Sequence, residues 1–209
     1  MSWRSLVLCK KSQSAQFGHA GFGLVELMVA ISVMVIVLSI ILSRQDAFNG
    51  AVLLRNQAYE IALAAREVQL SAVSASGGAG DFRNEYGLYF NSTSVWDGEY
   101  QIYRDATSGS DNDGFYSGSS EDFGGRSRLD ERFEIREIRI IDGSTTDIPD
   151  EVSVVFVRPN FDAVIYDAAN SPVSGATVEI DVARRGSVGS GPGDMRTIEI
   201  TSTGQIAVQ

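Results

Sequence analysis

The sequence is poor in the side chains on which most enzymes and many metal sites depend. Cys9 is the only cysteine, His19 is the only histidine, and no lysine follows Lys11. Beyond these positions there is no thiol for a disulfide or a nucleophile, and no imidazole for a catalytic triad or a metal site. The neighbouring acids Asp130–Glu131 and Asp150–Glu151 adjoin predicted turns, with no apolar pocket to raise a pKa. We therefore predict no catalytic residue, no cofactor and no enzymatic activity.

Cations are also scarce. The chain has 27 acidic and 17 basic residues, giving a net charge of −10. The first 21 residues hold three of the cations (Arg4, Lys10 and Lys11) and no acid, so without these three the remainder carries −13. Nucleic-acid binding depends on clustered cations. The acidic remainder therefore argues against a nucleic-acid partner.

One long apolar run lies near the N-terminus. Phe22–Leu42 has 21 residues, and Glu26 is the only charged one among them. About 20 apolar residues, at about 1.5 Å rise per residue, cross a bilayer core. Cations before the run, without acids, predict that the N-terminus stays in the cytoplasm and that the rest lies outside. A carboxylate inside a bilayer costs roughly 2.5–3.5 kcal/mol and usually has a partner, so Glu26 needs an explanation.

The order of the N-terminal segments differs from that of a secretory signal. Such a signal has basic residues, then an apolar run, then a cleavage site with small residues. Here the small residue, Gly21, precedes the apolar run. Cleavage after Gly21 would remove the leader and retain the apolar run. The new amino group of Phe22 would then lie four residues from Glu26, about one helical turn.

The stretch Gly21–Ala30, GFGLVELMVA, resembles the prepilin segment of type IV pilins and type II secretion pseudopilins. That family has the signature G-F-T-L-[IV]-E followed by apolar residues. The resemblance implies cleavage by a prepilin peptidase between Gly21 and Phe22, N-methylation of Phe22, and a role for Glu26 in attracting the N-terminal amine of a neighbouring subunit. Gly23 departs from the usual Thr or Ser, and we expect little consequence. The alternative is a simple signal anchor with an isolated glutamate.

Residues 44–76 are predicted to continue the same helix as an amphipathic half, with a weak point at Asn49–Gly50 and an end at the glycines of 76–80. Two apolar stripes recur at helical spacing. The first comprises Ala47, Ala51, Leu54, Ala58, Ile61, Ala65, Val68 and Ala72, and the second Phe48, Val52, Tyr59, Leu63, Leu70 and Val73. We predict that one stripe covers the subunit's own sheet and the other meets neighbouring helices. The alternative is a helix sunk deep in its own domain.

Residues 77–209 are predicted to form a β head. Alternating apolar positions predict strands at 86–90, 99–104, 133–135, 138–140, 152–157, 162–166, 176–182, 196–201 and 205–208. A change of phase predicts a bulge near Arg136–Glu137, and the doubly apolar Val152–Val157 is predicted to be a central strand. The fold class is therefore α+β: a long N-terminal helix packed on a mainly antiparallel β-sheet head. The strand motifs are also similar to those of the minor pseudopilin H/FimT-like branch.

Two loops carry candidate ligand-binding residues. Asp111–Gly114 is similar to part of a calcium loop, which makes Asp111 and Asp113 candidate calcium ligands. The remaining ligand positions are missing, because 109 is glycine and 120 is serine. We therefore prefer a solvated turn and predict no metal site. A second loop has three arginines, Arg184, Arg185 and Arg196. They could contact a phosphate, but we prefer to interpret them as surface charges.

The predicted organisation is a leader at 1–21, a transmembrane half-helix at 22–43, an amphipathic half-helix at 44–76 and a β head at 77–209. The resemblance implies a structural subunit, of the minor kind, in a type II secretion pseudopilus or a type IV pilus. It would be a single-pass inner-membrane protein before it joins a periplasmic or surface filament. The implied partners are other pilin or pseudopilin subunits, the prepilin peptidase, the inner-membrane assembly platform and membrane lipid.

Two alternatives belong to other functional classes. One is a pilus-tip receptor for DNA uptake, which would need a cationic groove that the charge balance disfavours. The other is a non-filamentous single-pass membrane protein whose head binds a ligand.

Overall fold

The computed structural model describes residues 23–74, 85–96, 98–105, 113–191 and 193–209. In these residues the chain forms one helix, α1 (Leu24–Val73), and eleven strands, so the α+β class is confirmed. The strands are β1 (Glu85–Asn91), β2 (Glu99–Asp105), β3 (Ser127–Arg128), β4 (Phe133–Asp142), β5 (Thr145–Asp147), β6 (Glu151–Phe156), β7 (Ala163–Tyr166), β8 (Pro172–Val173), β9 (Thr177–Arg184), β10 (Met195–Thr201) and β11 (Ile206–Val208). The chain divides into two compact units, Met1–Arg44 and Gln45–Gln209.

Helix α1 has 50 residues and runs without a break through Asn49–Gly50, where the sequence predicted a weak point. Its first turn is closed by the amide of Leu27, which donates to the carbonyl of Gly23 at 3.1 Å. The glycines at 76–80, predicted to end the helix, lie outside the described residues. The predicted second half of the helix is confirmed as far as Val73.

The two apolar stripes of the second helix half differ in burial. The first is buried within the unit 45–209 from Leu54 to Ala72, with Leu54, Ile61 and Ala65 fully buried. The second is exposed from Phe48 to Leu70, where the exposed fractions of its side chains range from 43% at Val52 to 69% at Phe48, and it is half-buried at Val73. The prediction that one stripe covers the subunit's own β structure is confirmed, and the alternative of a deeply sunk helix is wrong.

The strands divide between two antiparallel sheets, rather than joining in one. The first sheet has the order β3-β2-β1-β6-β7-β8, and the second has the order β11-β10-β9-β4-β5. Strand β6 pairs with β1 on one side and with β7 on the other, which confirms it as a central strand. The inner face of each sheet contributes to one core with α1, through side chains such as Leu88 and Val154 from the first sheet and Ile138 and Ile180 from the second.

The predicted bulge is present in β4. The register against β9 shifts between Ile135 and Glu137, so Arg136 is the extra residue. This shift keeps Ile135 and Ile138 both in the core although they are three positions apart. The bulge therefore explains why the apolar alternation changes phase at this point.

Replacing Leu54 by alanine tests the division of α1 into a covered and an uncovered side. Leu54 is 0% exposed, whereas Leu63 in the same helix is 63% exposed. We expect Leu54→Ala to lower the free energy of unfolding by about 2–5 kcal/mol, because it leaves a cavity in the core. Leu63→Ala is the matched control and should change it by less than about 0.5 kcal/mol. Urea unfolding of the full chain in detergent, followed by tryptophan fluorescence, measures both, and equal losses would contradict the division.

Candidate functional site

The first candidate site is Glu26 in the first turn of α1. The large apolar side chains from Leu24 to Leu42 that surround it are 44–76% exposed. This stretch has a mean hydropathy of 2.8 over 18 residues, and the helix is long and apolar enough to cross a membrane. Gly21 and Phe22, the predicted cleavage and methylation residues, lie outside the described residues.

The polar side chains of the apolar run differ in whether they have a hydrogen-bond partner. The hydroxyls of Ser32 and Ser39 donate to the carbonyls of Met28 and Val35, each at 2.8 Å, so they bring no free donor into an apolar medium. Glu26 lies near the positive end of the helix dipole, but no described residue donates a hydrogen bond to its carboxylate. Within the described part of this chain, Glu26 has no charge partner.

The second candidate site is the uncovered side of α1 within residues 45–74. We call the residues Phe48, Val52, Tyr59, Leu63 and Leu70 the outer stripe; all are exposed. The guanidinium of Arg55 lies 5.3 Å from the ring centre of Tyr59 and donates to its hydroxyl at 3.3 Å. A groove of about 130 Å³ separates Tyr59 and Leu63 from strand β11. The outer stripe is thus an apolar surface with a cation above it.

The outer face of the first sheet carries a second, smaller cluster of buried side chains. It contains Tyr89, Tyr103 and Val155, covered by Tyr116 from the loop at 113–123. The Tyr103 hydroxyl donates to the Gly114 carbonyl at 2.6 Å. Burial and the carboxylate of Asp122, which accepts from the Tyr116 hydroxyl at 2.6 Å, raise the pKa of Tyr116 to about 12. These contacts hold the loop against the sheet and explain why β6 is apolar on both faces.

Carboxylates fasten the same loop through backbone amides. Asp105 accepts from the amide of Gly114 at 2.7 Å, and Glu121 accepts from the amide of Ser117 at 2.7 Å. Asp113, one of the two candidate calcium ligands, accepts from the amide of Phe115 at 3.0 Å and from the side-chain amide of Asn170 at 2.7 Å. Asp111 lies outside the described residues. No group of three potential metal ligands occurs in the part of the chain that the structure describes.

The arginine-rich loop is joined to β4 and the turn before it by hydrogen bonds from arginines to backbone carbonyls. Arg185 donates to the carbonyls of Glu131 and Phe133 at 3.0 and 3.3 Å. Arg136, which the sequence did not indicate as functional, donates to three carbonyls of the loop, those of Arg184, Ser187 and Gly189. Arg184 is exposed, and Arg196 lies half-buried on β10. Arg136 and Arg185 are therefore engaged by backbone carbonyls of the same chain.

An ion cluster on the outer face of the second sheet also went unnoticed in the sequence. Arg139 pairs with Glu137 and Glu179 at 2.7 Å each, and with the buried Asp181. Hydrogen bonds to Asp181 and the two other carboxylates raise the pKa of Arg139 above its ordinary value. Alternation along β4 and β9 places these residues on outer faces, but only the register of the two strands brings them into contact.

One member of each neighbouring pair of acids has a structural contact. Asp130 accepts from the guanidinium of Arg132 at 2.7 Å, and this contact lowers the pKa of Asp130 to about 2. Glu151 accepts from the hydroxyl of Tyr89 and from the side-chain amide of Asn91. Asp130 and Glu151 therefore each have a separate structural contact.

Comparison of the chain with protein-family models, with curated proteins and with solved structures found no match.

Glu85 is the acid with an electrostatically unfavourable position. It lies directly opposite Asp105 in the register of β1 and β2. Burial, and then the charge of Asp105, raise its pKa above the ordinary 4.5, while Arg158 opposes the shift. A raised pKa in the folded state means that ionised Glu85 destabilises the fold above that pKa, and that the penalty disappears as the pH falls below 4.5.

We therefore expect Glu85→Gln to stabilise the protein at pH 7 and to lose this advantage as the pH falls below about 4.5. Urea unfolding of both proteins from pH 3.5 to 8, compared pairwise, measures the difference. Glu131→Gln, at an exposed turn, controls for the loss of one negative charge. A pH-independent difference between Glu85→Gln and the parent would contradict this account.

Proposed function

We propose that this protein is a membrane-anchored subunit of a pilin-type filament, of the minor kind, in a type II secretion pseudopilus or a type IV pilus. The observation that carries the proposal is the apolar surface of α1 together with Glu26, a carboxylate with no partner among the described residues of the same chain. The stretch GFGLVELMVA and the α+β architecture support it.

In this proposal, assembly supplies the missing partner. A prepilin peptidase cleaves between Gly21 and Phe22 and methylates the new amine of Phe22. That amine remains a cation, and it pairs with Glu26 of the neighbouring subunit as the helix leaves the lipid. Pairing in an apolar medium neutralises a carboxylate that would otherwise cost roughly 2.5–3.5 kcal/mol. Incorrectly placed subunits keep that cost, so the pair also selects the axial position.

The remaining parts of the chain have matching roles. Before assembly, the apolar half of α1 anchors the protein in the inner membrane, with the N-terminus in the cytoplasm and the head outside. The outer stripe offers packing surface to neighbouring helices. The partners are other pilin or pseudopilin subunits, the prepilin peptidase, the assembly platform and lipid. The acidic head, with Arg136 and Arg185 bonded to its own carbonyls, lends no support to a DNA receptor.

Replacing Glu26 by glutamine tests the proposal, because it removes the charge and retains the size. In cells that contain the filament machinery, we expect normal cleavage and an at least about tenfold lower amount in sheared filaments, which corresponds to about 1.4 kcal/mol. Ser32→Ala, in the same apolar stretch, is the matched control and should assemble normally. Immunoblotting of the sheared fraction measures incorporation.

Mass spectrometry of the N-terminus gives an independent check on the same proposal. We expect the mature chain to begin at N-methylated Phe22, and Gly21→Ala to reduce or abolish cleavage. A mature protein that retains residues 1–21, or normal incorporation of Glu26→Gln, would refute the proposed function.

A further inference from the structure

The exposed side of α1 repeats every eleven residues. Phe48, Tyr59 and Leu70 are separated by eleven positions, and so are Val52 and Leu63. Arg55 and Arg66, both exposed, have the same separation. Eleven residues make slightly more than three helical turns, so all these residues fall within an arc of about 80°. The outer stripe is thus apolar with two cations, and an eleven-residue repeat favours right-handed winding of packed helices.

A complementary acidic surface lies about a quarter turn around the same helix. We call Glu60 and Glu67 the acidic shoulder; both are exposed. Beside it is a pocket of about 310 Å³ between α1 and the first sheet, lined by apolar and polar residues. The residues around it include Glu67, Val68, Ser71, Tyr86, Ile102 and Phe123. This surface therefore combines negative charge with space for an apolar side chain.

The cations and the acids of these two surfaces do not pair within one helix. Ion pairs on a helix form between residues three or four positions apart. Arg55 is five and twelve positions from Glu60 and Glu67, and Arg66 is six and one positions from them. Within the described chain, Arg55 donates to the hydroxyl of Tyr59 at 3.3 Å, and Arg66 donates to the carbonyl of Ile206 at 3.4 Å. Each guanidinium has five N–H donors, so donors remain for a partner.

We propose that the outer stripe of one copy packs on the acidic shoulder of a second copy, with Arg55 and Arg66 facing the second copy's Glu60 and Glu67. The proposal rests on the proposed function and specifies which faces of α1 meet. The occupant is a second copy because the same helix presents both the cations and the acids. A parallel neighbour shifted by about three residues, or about 4.5 Å, brings both charge pairs within reach.

The two contacting surfaces are different, and this determines the kind of assembly. A contact between unlike faces leaves one free face on each end of the pair, so further subunits can join it in an open helical arrangement. Exposed ion pairs alone contribute little to the free energy of association. The apolar stripe therefore supplies the affinity, and the charge pairs select the register and orientation.

The absence of lysine after Lys11 allows a direct test by cross-linking. Arg66→Lys places a single side-chain amine in the chain beyond the leader. A carbodiimide then joins it to a carboxylate in direct contact. The full chain is expressed in membranes as two differently tagged copies, and cross-linked peptides are identified by mass spectrometry. We expect links from residue 66 to Glu60 or Glu67 of the other copy, reduced at least fivefold by Glu60→Gln with Glu67→Gln. Arg184→Lys, exposed at the end of β9, is the control.

Charge reversal supplies a second, functional measurement. We expect Arg55→Glu with Arg66→Glu to reduce incorporation into sheared filaments at least about fivefold, and Glu60→Arg with Glu67→Arg to do the same. All four changes together should restore at least half of it. Unfolding midpoints of the variants identify any loss that comes from misfolding.

The outcomes separate the two proposals. If Phe22 is processed and Glu26→Gln prevents assembly, but no copy-to-copy link forms, or residue 66 links to another protein, the contact proposed here is wrong and the filament function stands. If residues 1–21 are retained, the filament function fails, and cross-linking in the membrane still reports whether the two surfaces meet.

Discussion

The rest of this structure depends on one constraint. Helix α1 has apolar side chains on more sides than its own domain covers. Within residues 45–209, the buried stripe of α1 joins the inner faces of two antiparallel sheets in one core. The outer stripe has no such cover. A continuous stripe of exposed, large apolar side chains marks a surface that other molecules cover. In the proposed function, lipid covers the first half of the helix and neighbouring subunits cover the second.

Local patterns predicted much of this molecule. The helix, the burial of its first stripe and the long strands follow from periodicities within about ten residues, and the bulge at Arg136 was visible as a change of phase. The unusual position of Glu26 could also be recognised from neighbouring residues, because a charge within an apolar run is evident from the sequence alone. The roles of Gly21, Phe22 and Glu26 remain proposals.

What the sequence did not predict depends on residues far apart in the chain. The contact of Arg139 with Asp181 joins positions 42 residues apart and requires the register of β4 against β9. The division into two sheets likewise depends on β1 pairing with β6, whose partner residues lie 60 to 70 positions away, rather than on any property of either strand alone. The short strands β3, β5 and β8 have two or three residues, too few for a period to be recognised.

The short edge strands of the two sheets affect how closely packed copies of the β head would interact. In the described chain, the outermost strands β3, β8, β5 and β11 have only two or three residues each, and the longer β4 carries a bulge where β5 does not cover it. Short or irregular edge strands offer few free backbone N–H and C=O groups for pairing with a strand of another molecule. β heads packed side by side at very high local concentration would therefore not pair their strands into a shared sheet. Such an array could be disassembled without breaking hydrogen bonds between strands of different subunits.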